Sequence, residues 1–379
     1  MSAAESFEPA LATEVEAGDD PWLVSLLSLP DCGPSRLQGL LDRHGSAEAA
    51  WGVIVAGRPL GVEGVARKIS ERWSDVARAT DVDMTWQAMQ SLGIRAHRLH
   101  SPGYPERLGE DVDPPELIFE LGAVPSGLTV GIVGTRSCSA YGQRCAHELG
   151  QALARAGVSI VSGLALGIDA AAHRGALAAL ADDERGAGRP IGVVGSGLDV
   201  VYPKRNAGLW AEVADAGALL SESPPGTDPA KWRFPARNRI IAAMSDAVVV
   251  VESHERGGSL LTVDEALRRD VPVGVIPGPI TSRSAAGSNR LLVDGATPVL
   301  NAEDVLAMIG VPVDETAPPG FASGPTTSPL LDAIGWEAAT MDQIFLRSGL
   351  TMSDLAVEIE RLVASGTITR NGPWIERVR

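Results

Sequence analysis

The chain has 379 residues, 45% of them hydrophobic and 21% charged, with 32 Lys and Arg against 48 Asp and Glu for a formal net charge of −16. At about 100–200 residues per domain this predicts two or three domains, and the hydrophobic content excludes global disorder. The acidic balance argues against a generic nucleic-acid coat, no apolar run reaches the ~18 residues of a membrane span, and three cysteines without a CxxC pair exclude a disulfide framework and a structural zinc site.

Residues 1–20 carry six acids and no Lys or Arg, and read as a disordered acidic tail with no secretory leader. The cytoplasm, a reduced compartment, fits Cys32, Cys138 and Cys145. Leu23, Leu26 and Leu27, then Leu37, Leu40 and Leu41, recur at helical spacing on either side of the turn at Pro30–Pro34. Short helices broken by glycine predict a helical domain over 21–85, of helix-hairpin-helix or SAM-like type. Such a module serves either to bind nucleic-acid backbone or simply to pack.

From about Gly93 the texture alternates. Short apolar runs at 116–121, 129–133, 158–161, 191–194, 218–220, 247–251, 272–276 and 297–300 predict strands buried on both faces. Helical stretches at 143–156, 169–180 and 260–269 lie between them. This predicts an α/β, Rossmann-like, doubly wound and mostly parallel sheet over 86–310, with ligands outside the carboxyl ends of the strands. Residues 311–328, rich in Pro, Gly, Ser and Thr, read as a linker. Three helical patterns and a hairpin around Asn371-Gly372 then predict a winged-helix domain over 329–379.

Four strand-to-helix segments carry chemistry. The run from Gly131 to Gly142, GIVGTRSCSAYG, ends a strand in a turn with exposed N–H groups and Arg136, suited to phosphate. Its spacing is not the dinucleotide GxGxxG, and a plain tight turn needing glycine is the alternative. In VSGLALGIDAAAH, Ser162-Gly163 ends the next strand, and Asp169 and His173 share one helical face. Capping and loop bracing are favoured for that pair over metal or acid–base chemistry, because no third ligand accompanies it. KWRFPARNRI places Lys231, Arg233, Arg237 and Arg239 within nine residues, interleaved with Trp232 and Phe234 and without an acid. Cations beside aromatics suit single-stranded nucleic acid, where phosphates pair and bases stack. Tyr202-Pro203-Lys204-Arg205-Asn206 adds two cations after another strand end. Finally RGGSLLTVDEAL brings Gly257 and Gly258 to a helix start, either close to a phosphate or merely to pack.

In order, GTR at 134–136, SGLALGID at 162–169, SESPPG at 221–226, FPARNRIIA at 234–242, GGSLLT at 257–262 and PG at 277–278 resemble the DprA/Smf family of DNA-processing proteins. The resemblance spans about Ser101 to Val305, with looser likeness in the flanking segments. It implies a non-enzymatic protein that binds single-stranded DNA, protects it and helps load the RecA recombinase in natural transformation, with an extended Rossmann-like domain and usually as a homodimer. Carried over residue by residue, it implies DNA contacts at Arg136, Ser162, Gly163, Lys231, Phe234, Arg237 and Asn238. Arg239 joins them by proximity and charge. No cofactor, metal, catalytic residue or membrane association is expected. The stretch Glu252–Arg256 is more charged than the family's pattern. An alternative is an enzyme resembling the nucleotide phosphoribohydrolases, whose PGGxGTxxE loop GGSLLTVDE echoes. Here Glu265 is one residue too far from the glycine pair, and Leu260 replaces the internal glycine. A regulator reading duplex DNA through the winged helix is disfavoured by charge: the third predicted helix, 353–364, carries three acids and one Arg.

Overall fold

Helical periodicity in the first segment becomes α1 (Asp20–Leu27), α2 (Pro34–His44), α3 (Ala47–Val55), α4 (Arg67–Ala79) and α5 (Val82–Ser91). The structure, a computed structural model, describes residues 20–182, 186–312, 329–334, 339–364 and 367–377. The tail before residue 20 and residues 313–328 of the expected linker lie outside the described residues. α2 opens on Pro34, where no helical N–H is lost, and ends at Gly45, whose φ of +85° suits glycine. Ser46 and Asp81 cap α3 and α5 by accepting the N–H groups of Ala49 and Met84. Leu23, Leu26, Leu37, Leu40 and Trp73 are buried, and the Trp73 ring N–H donates to the Pro30 carbonyl at 2.8 Å. Their core is continuous with Phe119, Leu164, Trp210 and Leu219 of the α/β part. α1 to α5 thus share one compact unit with the α/β part.

The α/β part runs β1 (Arg95–Arg98), α6 (Glu106–Gly109), β2 (Leu117–Gly122), β3 (Thr129–Val133), α7 (Ala140–Arg155), β4 (Ser159–Ser162), α8 (Ile168–Asp182), β5 (Pro190–Val193), α9 (Ala207–Ala216), β6 (Ala218–Ser221), α10 (Arg233–Ala243), β7 (Ala247–Val250), α11 (Gly258–Leu267), β8 (Val273–Val275), α12 (Ala286–Val293), β9 (Thr297–Pro298) and α13 (Ala302–Met308). The strands form one sheet in the order β1-β2-β6-β5-β4-β3-β7-β8-β9. Pairing is parallel from β6 to β9, and β2 joins β1 and β6 antiparallel. This is the mostly parallel Rossmann-like fold expected. β3 to β8 are buried at every position, as strands covered on both faces must be. β1 was not expected, because an edge strand reading Arg-Ala-His-Arg has no apolar run to betray it.

From β3 the chain steps outward through β4, β5 and β6, then returns to β3's other side for β7, β8 and β9. The loops after β3 and β7 consequently leave in opposite directions and open a crevice at the carboxyl edge. Among the described residues no helix is long and apolar enough to cross a membrane.

The second unit, Glu315–Arg379, holds α14 (Pro329–Ile334), β10 (Ala339–Thr340), α15 (Met341–Ser348), α16 (Met352–Ala364), β11 (Ile368–Asn371) and β12 (Trp374–Arg377). Its strands pair antiparallel in the order β10-β12-β11. Leu330, Ile334, Ile344, Leu355, Ile359 and Ile375 form its own core. Thr340 and Gln343 make a reciprocal capping box at α15.

Candidate functional site

The carboxyl ends of five parallel strands converge on a groove of about 570 Å³. The turn after β3 contributes Arg136, the loop after β4 contributes Ala165, and the loop after β5 contributes Tyr202. Lys231, Phe234, Pro235 and Asn238 enter from the segment leading into α10, and His254, Gly257 and Gly258 from the loop after β7. Arg136 and Lys231 are exposed and Phe234 is half-buried. The Phe234 ring lies 5.4 Å from that of Tyr202, and the Arg136 guanidinium stands 5.0 Å from its centroid. Cation and ring attract through the ring's quadrupole. Asn238 reaches toward the Gly258 carbonyl at 3.3 Å, and α11 starts at that glycine.

Beneath these residues lies Arg237, which is 7% exposed. Its guanidinium donates to the Val193 carbonyl at the end of β5 and faces Asp169. Burial pulls the Arg237 pKa down to about 10, with Asp169 opposing the shift and Arg136 adding to it. Burial raises the Asp169 carboxyl, while Arg237 and the N–H groups of Ala165 and Gly163 hold it down. The Gly163 N–H donates to Asp169 Oδ2 at 3.1 Å. A β-carbon on Gly163 would collide with the Arg237 guanidinium, which is why glycine stands there. Asn206 completes the loop by donating to the Leu164 carbonyl at 2.9 Å. It thereby steadies Leu164 in a left-handed conformation, φ +51°, that leucine rarely adopts.

A second buried acid anchors the Arg136 turn. Glu252, fully buried at the end of β7, accepts the Ser139 N–H at 2.8 Å and the Ser139 hydroxyl at 2.6 Å. The Ser284 hydroxyl also donates to it at 3.1 Å, and the Glu252 carbonyl accepts the Thr135 N–H. Its carboxylate thus takes up the N-terminus of α7, the place where a Rossmann-type fold commonly receives phosphate. The charge seen at 252–256 in the sequence is partly this internal brace.

The structure brings together Arg136, Lys231, Phe234 and Asn238 with Arg237 beneath them, and places Ser162 and Arg239 elsewhere. The Ser162 hydroxyl is buried and donates to the Ile132 carbonyl. Gly163 and Arg237 are buried parts of the groove's floor. Arg239 turns away to Glu222 and to the Asp113 carbonyl. The reason is helical: successive residues of α10 rotate by about 100°, so cations adjacent in sequence leave on different faces. Lys204 and Arg205 do not line the groove, and the residue their segment supplies is Tyr202. Tyr202 and Glu252 were missed because a lone tyrosine and a lone glutamate carry no spacing signal. Asp169 braces the loop, as favoured for it. His173 is fully buried, and burial lowers its pKa to about 4. Its ring faces the Ser162 backbone, yet neither ring nitrogen meets a partner at hydrogen-bonding geometry. Among the described residues no three His, Cys, Asp or Glu side chains gather as a metal site would require.

The family described as DNA recombination-mediator protein A matches residues 95–310. The chain is 31% identical to protein Smf of a Synechocystis species, over 89% of this chain and 93% of that protein. It is 39% identical to the DNA processing protein DprA of Bacillus subtilis, over 58% of this chain and 72% of that one. The X-ray structure of DprA from Streptococcus pneumoniae superposes with a TM-score of 0.61 at 30% identity, covering 77% of this chain and 97% of the other.

Two predictions follow from the floor of the groove. Arg237→Ala removes the guanidinium's bond to the Val193 carbonyl and the charge that acts on buried Asp169, and costs about 1–3 kcal/mol of stability. Urea denaturation followed by circular dichroism measures this, and an unchanged midpoint would remove the brace. His173 titrates near 6.5 when unfolded and near 4 when folded. Its contribution is fully present above pH 6.5 and is lost as pH falls toward 4, by on the order of 3 kcal/mol. Denaturation midpoints across that window should fall less steeply for His173→Gln than for the parent.

Proposed function

The chain belongs to the DNA recombination-mediator protein A family, the DprA/Smf DNA-processing proteins, and on that premise we propose that its groove binds single-stranded DNA. The observation that carries the reading is the convergence of exposed Arg136 and Lys231 with the Phe234–Tyr202 ring pair, in a chain of net charge −16. Arg136 and Lys231 take phosphates, and the rings offer π-faces to unpaired bases. Asn238 and the α11 N-terminus line the path. Ser162, Gly163 and Arg237 act from below, by shaping the floor between the loops that present Arg136 and Tyr202. Arg239 supports the fold and not the strand.

In this reading the protein covers incoming single strands, protects them and helps load the RecA recombinase, acting in the cytoplasm as a homodimer and without catalysis. The enzymatic alternative needs the Glu265 carboxylate at the groove. That carboxylate pairs with Arg268 and Arg269 and does not line it. We read the second unit as a winged helix used for protein contact or self-association. On α16 the single Arg361 is paired with Glu358, and Arg370 of the wing lies 4.0 Å from Glu360. Leu346 and Val357 are 82% and 71% exposed, which suits a protein partner better than phosphate.

Salt titrations of oligonucleotide binding test both halves. Arg136→Ala should weaken single-strand binding and reduce the salt slope by about one phosphate contact. Phe234→Ala should cost about 1–3 kcal/mol with the slope kept. Duplex of the same length should bind more weakly than single strand, and equal affinity would sink the stacking role. Removing residues 315–379 should lower single-strand affinity by less than about tenfold, or ~1.4 kcal/mol. A larger loss from a folded, equally oligomeric protein would move the second unit onto the DNA.

A further inference from the structure

The groove accounts for Lys231 and Phe234 but not for the two residues between them. Trp232 is 56% exposed, and the Arg233 guanidinium is stacked on its ring, 4.4 Å from the centroid. Arg233 is steadied by a hydrogen bond to the Ser223 hydroxyl at 3.0 Å. The pair flanks the start of α10 on the side opposite Phe234, against Cys32, Gly33 and Pro34 of the N-terminal helical segment. Arginines from that segment arrive at the same place. Arg36 donates to the Asp31 carbonyl at 2.6 Å, Arg72 pairs with the Asp31 carboxylate at 3.3 Å, and Arg233 feels the same carboxylate. Arg72 thus pairs with the Asp31 carboxylate, Arg233 lies within its field, and Arg36 is held by the main-chain carbonyl of Asp31. Glu222, which lines the same pocket, is taken by Arg239. Arg233, free of an ion-pair contact among the described residues, stands against an exposed indole with Arg72 across the Asp31 carboxylate.

Resting on the reading of the groove as a single-strand site, we propose that Trp232 is a second base platform, on which the strand continues past the groove toward the Asp31 turn. The strand leaves Phe234, passes the start of α10 beside Lys231, and stacks its next accessible base on the indole. Arg233 and Arg72 meet the phosphates that follow. An exposed aromatic backed by a guanidinium keeps a flat face for a base of any identity, so this extension adds length and not sequence preference. It also gives the N-terminal helical segment a part in binding: it supplies Arg36 and Arg72 to one continuous cationic edge.

The test compares oligothymidylates of about six and about fifteen nucleotides, the shorter filling the groove alone. With full-length protein, Trp232→Ala should weaken the longer oligonucleotide by about tenfold and the shorter by less than twofold. Trp232→Phe should restore the longer one's affinity while removing part of the quenching of tryptophan emission on binding. Arg72→Ala should lower the salt slope for the longer oligonucleotide only. If Trp232→Ala binds both as the parent does, while Phe234→Ala is impaired, the platform is wrong and the groove stands. If the parent binds neither oligonucleotide, or Phe234→Ala is unimpaired, the groove reading falls and the platform with it.

Discussion

Everything at the carboxyl edge of the sheet rests on a buried arginine. Arg237 donates to the Val193 carbonyl at the end of β5, and its charge acts on Asp169 in the first turn of α8. Asp169 in turn accepts the Gly163 N–H and so closes the loop after β4. A guanidinium without water is costly unless its charge is met and its donors are used. Here a strand-end carbonyl takes one donor and the Asp169 carboxylate acts on the charge electrostatically, while Nε meets no hydrogen-bond partner among the described residues. Glycine at 163 is the condition for this, since any side chain would occupy the guanidinium's place. The groove above inherits its shape from that contact.

Glu252 plays the matching part on the other side of the switch point. Its carboxylate fills the N-terminus of α7 and ties the turn after β3 to the loop holding Ser284. Gly142 lets it in, because a β-carbon there would strike the carboxylate. A fold of this type usually offers the first strand-to-helix turn to a nucleotide phosphate. In this chain a side chain of its own occupies that position, and the polar surface left for a ligand is displaced to Arg136 and the α10 side of the crevice. That displacement suits an open strand crossing the edge better than a mononucleotide held at a helix end.

The charges show how a strongly acidic protein can present a cationic path. The basic run at 231–239 looks in the sequence like one patch of four. The helix divides it: Lys231 goes to the groove, Arg233 to the indole of Trp232, Arg237 to the interior and Arg239 to Glu222. Only part of the run faces solvent. The groove gains its cationic character from Arg136, three strands away in sequence, while Arg36 and Arg72 of the N-terminal helices stand at the Asp31 turn, whose carboxylate Arg233 also feels. Packing of α1 to α5 against the sheet, through one core, is what brings those last two within reach.

The sequence by itself determined the fold class and the edge of the sheet where the candidate groove lies. Runs of four to six apolar residues can be satisfied only as strands covered on both faces, and the glycine-rich turns after them mark the carboxyl ends. It also pointed to Arg136, Lys231 and Phe234, because aromatic and cationic residues at strand ends have a chemical meaning that needs no partner to be recognised, and to Asn238 through the family resemblance alone. Tertiary structure alone decided which cations are exposed. Arg237 and Arg239 read identically to Lys231 in the chain, and only the direction of each helical side chain and the arrival of Asp169, Glu222 and Asp113 separate floor from brace and brace from groove. Tyr202, Glu252 and the Asp31 turn were silent for the same physical reason: each acts through a neighbour distant in sequence, and such a pairing exists only once the sheet has brought the two together.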